Sequence, residues 1–174
     1  MKTFMEKALV LGRLAGERDE VPVGAVLICG GEVLGQGMND RESSGRAVAH
    51  AEIEALDDYS ARTGQWRLPP ETTLVVTVEP CLMCTGAALW ARVDHIVYGC
   101  SDPKRAGLLT LKPLIDAGTF DHRFKSVVGG CEEEACAELM RSFFRRKRES
   151  KINEADPCAV NRLIAADGIL STRD

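Results

Sequence analysis

Apolar residues recur along the chain at changing intervals, and the intervals predict a succession of elements. Between positions 3 and 16, Phe4, Met5, Ala8, Leu9, Leu11 and Ala15 fall on overlapping helical spacings. They predict an amphipathic helix that stops near Gly16. Val23 to Cys29 is β-branched and apolar, Gly30-Gly31 is a hairpin signal, and Glu32 to Met38 is the returning strand. Asn39 to Arg46 is polar, with Ser43, Ser44 and Gly45, and reads as a loop; Ala49 to Thr63 reads as a helix. Leu68-Pro69-Pro70 breaks the chain before Thr73 to Val78, an almost unbroken apolar run expected of a buried strand. Pro80 opens a helix reaching about Arg92, because proline fits the first turn. His95 to Gly99 and Ser126 to Val128 are further strands. Helices lie between and after them, the last from about Glu132 to Glu149.

Strands separated by helices favour parallel pairing with helices on both faces. The expected fold is therefore α/β, a three-layer α/β/α arrangement around a mixed sheet of about five strands. The domain is expected over residues 1–151. The tail, 152–174, is broken at Pro157 and carries a short apolar run, Ala159 to Ala166, so it reads as a short helix or a disordered end. No apolar run reaches the ~18 residues of a membrane span. Glu6 and Arg13 interrupt the first apolar stretch, unlike a secretory leader, so a cytoplasmic protein is expected.

Composition narrows the picture further. A chain of 174 residues suits one domain, and 45% hydrophobic residues exclude wholesale disorder. The net charge of −4 excludes binding to nucleic acid through overall charge, so any such contact has to be local. One place qualifies. Arg141, Arg145, Arg146, Lys147, Arg148 and Lys151 stand against Glu149 alone, so this segment is +5 and the remainder −9. With seven cysteines and no secretory leader, a disulfide framework is not expected. Cys29, Cys100, Cys131, Cys136 and Cys158 read as small buried hydrophobes.

Cys81 and Cys84 differ. Pro80-Cys81-Leu82-Met83-Cys84 places two thiols three residues apart at a helix start, where they point the same way and the free amides favour thiolate. His50 opens another helix and can add an imidazole. Sulfur with imidazole selects zinc, and three protein ligands leave the open position of a catalytic site. Two thiolates and a neutral imidazole balance the zinc charge, so activating its water calls for a nearby carboxylate that takes and returns a proton. Glu52, two residues after His50, is the candidate. His95 and His122 lack a companion pattern and read as structural.

His50-Ala51-Glu52 with Pro80-Cys81-x-x-Cys84 is the signature of zinc nucleobase deaminases, and the chain resembles the cytidine-deaminase-like superfamily. Within it the match is to bacterial tRNA-specific adenosine deaminases. It is carried also by Val21-Pro22-Val23-Gly24-Ala25, Asn39, Gly86-Ala87, Val97-Tyr98-Gly99 and Phe143-Phe144-Arg145, and covers about residues 4–149. The resemblance implies one zinc per chain on His50, Cys81 and Cys84, Glu52 as proton shuttle, and Asn39, Val23 and Ala51 as substrate contacts. It implies conversion of the wobble adenosine of a tRNA anticodon loop to inosine, and a homodimer. The basic helix end, with Phe143, Phe144, Arg145, Arg146 and Arg148, is then expected to contact RNA, one phenylalanine packing inward and the other reaching toward the site. Asp102 to Leu109 departs from the family, with Leu108 and Leu109 where small residues are usual. The rival readings are a deaminase of a free base such as guanine or cytosine, a non-catalytic zinc-bearing RNA-binding subunit, and a structural zinc module.

Overall fold

The computed structural model describes residues 1–102, 104 and 106–155, with side chains to Ile152. Within them the chain forms α1 (Lys2–Glu17), β1 (Gly24–Cys29), β2 (Glu32–Met38), α2 (Arg41–Ser44), α3 (Ala51–Thr63) and β3 (Thr73–Val78). Then follow α4 (Leu82–Trp90), β4 (His95–Cys100), α5 (Gly107–Asp116), β5 (Ser126–Val128) and α6 (Glu133–Ala155). The chain divides into two compact units, Met1–Met140 and Arg141–Asp174. Among the described residues, no helix is long and apolar enough to cross a membrane. Of the expected tail, residues 152–155 continue α6 and the rest lies outside the described residues.

The first unit is built on one five-stranded sheet in the order β2-β1-β3-β4-β5. The hairpin β1–β2 and the pair β1–β3 are antiparallel, whereas β3–β4 and β4–β5 are parallel. This is the expected mixed sheet, and its parallel half follows from the helices that return the chain after β3 and β4.

The two faces of the sheet are read directly from strand alternation. Ala25, Leu27, Leu74, Val76 and Ile96 point to one side, where Ala51, Ala55 and Tyr59 of α3 and Ala88 of α4 cover them. Val26, Ile28, Val75 and Val97 point to the other, against Met5, Ala8 and Leu9 of α1 and Cys136 at the start of α6. Every residue of β3 is buried, which is why its sequence shows no polar alternation. Helix α3 lies unusually close to β2. A Cβ placed at Gly37 would stand 2.3 Å from the Ala51 carbonyl oxygen and 2.4 Å from the Ala55 nitrogen, so the glycine lets helix backbone rest on strand backbone. The first turn of α3, which carries Ala51 and Glu52, is thereby fixed against the sheet.

Three local features depart from the sequence expectation. The polar segment after β2 contains a single helical turn, α2, closed by Gly45 in the left-handed conformation. Helix α4 begins at Leu82, because Cys81 is still extended, with ψ of 173°. Helix α6 runs on to Ala155.

Candidate active site

Two helix starts meet beyond the C-terminal end of β3. His50 is the N-cap of α3 and Cys81 the N-cap of α4, with Cys84 in the first turn of α4. N-cap residues ordinarily accept a hydrogen bond from their own helix, worth about 1 kcal/mol. Neither His50 nor Cys81 does so. Their side chains turn instead to a common point, at the positive ends of both helices.

His50 Nδ1 lies 3.6 Å from Cys81 Sγ and 3.5 Å from Cys84 Sγ, and the two sulfurs are 3.6 Å apart. Tetrahedral zinc, with bonds of about 2.3 Å to sulfur and about 2.0 Å to nitrogen, spans edges of about 3.8 Å between sulfurs and about 3.6 Å between sulfur and nitrogen. The donor set therefore fits zinc in both chemistry and spacing. Among the described residues it is the group of histidine, cysteine and acidic side chains able to hold a metal ion. As expected, His95 and His122 are elsewhere engaged. His95 bonds to Ser126 Oγ at 2.8 Å and Glu71 Oε2 at 2.9 Å, and His122 Nε2 to the Val93 carbonyl at 2.6 Å.

Protons are shared unevenly in this cluster. The hydrogen bond from the Cys84 thiol holds Cys81 down to about 3, with His50 adding to the effect, while Cys84 is pushed far up because it is that donor and is buried. His50 is raised, chiefly by its bond to Cys81. Glu52, in the first turn of α3 and 4% exposed, is pushed up to about 7 by burial. A carboxyl poised there takes and releases a proton near neutrality.

A cleft holding about 520 Å³ of empty space, mouth included, opens beside these residues. Val23, Asn39, His50, Glu52 and Cys81 line it. Of the expected substrate contacts, Asn39 and Val23 are thus at the cleft, while Ala51 is fully buried in the core on the α3 side of the sheet. Arg41, Glu79, Asp102 and Met140 also line the cleft, and the sequence reading did not single them out. Glu79 adjoins the Pro80-Cys81 signal and was within reach of it; the others have no local pattern. The segment that departs from the family touches the metal site directly. A Cβ at Gly107 would stand 2.2 Å from the Cys81 carbonyl carbon, and the Gly107 amide donates to the Pro80 carbonyl at 3.1 Å. Leu108 packs into the core and Leu109 is 71% exposed.

Comparison with known proteins agrees with this geometry. Residues 1–100 match the cytidine and deoxycytidylate deaminase zinc-binding region. A tRNA-specific adenosine deaminase of Streptococcus pyogenes serotype M18 is 41% identical over 150 residues, spanning 86% of this chain and 93% of the relative. The chain belongs to the zinc-dependent cytidine and deoxycytidylate deaminase family, on its tRNA-specific adenosine deaminase branch. A solved tRNA:A34 deaminase superposes with a TM-score of 0.74 at 40% identity, covering 80% of this chain and 99% of that one. A guanine deaminase from Nitrosomonas europaea shares the fold, with a TM-score of 0.65 at 24% identity, covering 82% of this chain and 83% of that one.

The five residues expected to contact RNA all lie on α6 in the second unit, Arg141–Asp174. Phe143 is buried and Phe144 is 41% exposed, their ring centroids 5.3 Å apart and nearly perpendicular. Arg146 and Lys147 lie over the Phe143 ring at 6.0 and 5.8 Å, and Arg145 and Arg148 are exposed.

The uneven sharing of protons sets the pH dependence of metal uptake. Zinc binding displaces at least the Cys84 proton, since both sulfurs bind as thiolates. Affinity measured against a competing chelator should therefore rise about tenfold or more per pH unit around neutrality. An affinity independent of pH would contradict the His50, Cys81, Cys84 ligand set.

Proposed function

We propose that the chain removes the exocyclic amine of the wobble adenosine in a tRNA anticodon loop, releasing ammonia and leaving inosine. The observation that carries this reading is the meeting of His50, Cys81 and Cys84 with the buried Glu52 at one cleft, in a chain some 40% identical to tRNA-specific relatives over most of its length. The identity to the guanine deaminase is much lower, so the free-base alternative is not favoured.

His50, Cys81 and Cys84 would hold one zinc. Bound there, it would supply a Lewis acid that makes water nucleophilic near neutral pH. Glu52 Oε takes the proton that water loses as its oxygen adds to C6 of adenine. The carboxyl then delivers that proton to N1, and a second from the added hydroxyl to the departing amine. The C6–N bond breaks, ammonia leaves, and C6 keeps the oxygen. Val23 and Asn39 border the base, and the backbone of Ala51 contacts it. A base in a single-stranded loop costs only a few kcal/mol to unstack.

On α6, Phe144 offers a ring for a base to stack on, and Arg145, Arg146 and Arg148 offer charge to phosphates. The −9 carried by the rest of the chain makes this local charge the stronger requirement. The protein acts in the cytoplasm, where tRNA is. It forms a homodimer, supported by the outward stripe of α4, in which Leu82 and Trp90 are 51% and 68% exposed and Gly86 faces open space between them.

Incubation with an anticodon stem-loop, and separately with guanine, cytosine and adenosine, tests the reading; inosine in the stem-loop alone is expected, and turnover of a free base alone would overturn it. Glu52→Gln should keep zinc and lose roughly 10²–10⁴-fold in turnover, and retention of most of the rate would remove Glu52 from the mechanism. Replacing Arg145, Arg146 and Arg148 by alanine should raise KM for the stem-loop and flatten its salt dependence by about 0.7 in slope per lost contact; unchanged slope and KM would exclude this surface. Sedimentation should give a dimer that Trp90→Asp converts to monomer, whereas a monomeric wild type would refute the dimer.

A further inference from the structure

Glu20 is fully buried, carries a charge, and lies outside the chemistry described above. It follows the end of α1, where its amide donates to the Ala15 carbonyl at 3.0 Å, so its backbone is fixed. Its carboxylate reaches across to the segment after β2. Oε2 accepts from Asn39 Nδ2 at 3.0 Å and from the Arg41 amide at 3.1 Å, and Oε1 accepts from the Ser43 amide at 2.7 Å. Burial alone raises such a carboxyl, but the amide and hydroxyl of Ser43 and the amides of Glu42 and Arg41 outweigh it and hold Glu20 below the usual carboxylate range. A fully buried charge is retained only where its partners are all supplied.

An ionised carboxylate has only acceptors. The Asn39 group facing Glu20 must therefore be the NH₂, and the orientation of the amide follows from chemistry alone. Asn39 is 6% exposed and its own amide donates to the Val23 carbonyl at 3.0 Å, so neither its backbone nor its side chain is free to turn. With Nδ2 engaged, Oδ1 is the atom left to meet a ligand in the cleft that Asn39 lines with His50 and Glu52.

We infer that Glu20 is a positioning residue for the deamination: it holds the Asn39 amide so that Oδ1 is presented to the cleft as an acceptor for an N–H or O–H of the bound nucleoside. This rests on the reading of Asn39 as a substrate contact. A neutral partner at position 20 would let the amide turn over, and a donor would then face a donor.

The test is a mutant cycle on the zinc-loaded full chain, with zinc content, thermal melting, and KM and Kd for an anticodon stem-loop read together. Asn39→Ala should raise KM and Kd at least tenfold with zinc content unchanged. Glu20→Gln should do the same. The double variant Glu20→Gln, Asn39→Ala should be no worse than Asn39→Ala, because the carboxylate acts through the amide. A double variant showing the full product of the two losses overturns the inference. Asn39→Asp should bind worse than Asn39→Ala, since it sets two carboxylates face to face. Adding Glu20→Gln to it should recover at least tenfold, because the introduced amide donates to one oxygen and frees the other for the cleft. If Glu20→Gln alone does not fold, Asn39→Asp against Asn39→Ala decides: aspartate equal to or better than alanine overturns the inference. An Asn39→Ala variant with wild-type KM and Kd overturns the substrate contact and this inference together, while stem-loop deamination by the wild type would still stand.

Discussion

Two helices give up their own caps so that three side chains can meet at one point. His50 and Cys81 hold N-cap positions and leave their helices uncapped, which costs each about 1 kcal/mol. In return the ligands sit at the positive ends of α3 and α4, where thiolate is favoured. The arrangement requires both helix starts to be placed to within a fraction of an ångström. The sheet supplies that placement: Gly37 seats the first turn of α3 on β2, and the buried strand β3 delivers the chain to Pro80 and Cys81. Metal binding and sheet packing are thus parts of one constraint.

The same geometry separates the rival functions. A structural zinc module needs a fourth protein ligand, and among the described residues His50, Cys81 and Cys84 form a group of three. A non-catalytic subunit has no use for Glu52, whose burial is costly unless a proton is to be moved there. Burial of Glu52 and exposure of the cleft belong to an enzyme.

Much of the first unit was legible because its signals are local. The apolar run of β1 with the glycine pair after it, the unbroken apolar run of β3 and the helical spacing of α1 each lie within a few residues of the element they define. The ligands were legible because residue type and helix-start spacing name the metal before any contact is known. What escaped depends on distance in sequence. Helix α2 has four residues and no apolar stripe; the Arg41 and Ser43 amides that open it are held by Glu20, about twenty residues earlier. The final turns of α6 are polar, so no periodicity marked how far they extend. Cleft residues such as Arg41 and Asp102 come from separate segments, and only the folded sheet brings them together.

The contact of Gly107 with the backbone of Cys81 bears on how such proteins diverge. Asp102, earlier in the same segment, borders the cleft and is free to vary with the ligand received there. Position 107 is not, because any side chain would displace the peptide that carries a metal ligand. Drift in selectivity across this segment is therefore hinged on one fixed glycine. A lineage can rewrite what it recognises on the near side of that hinge without eroding the metal centre, and exchange of the loop between relatives should be tolerated when the junction preserves it.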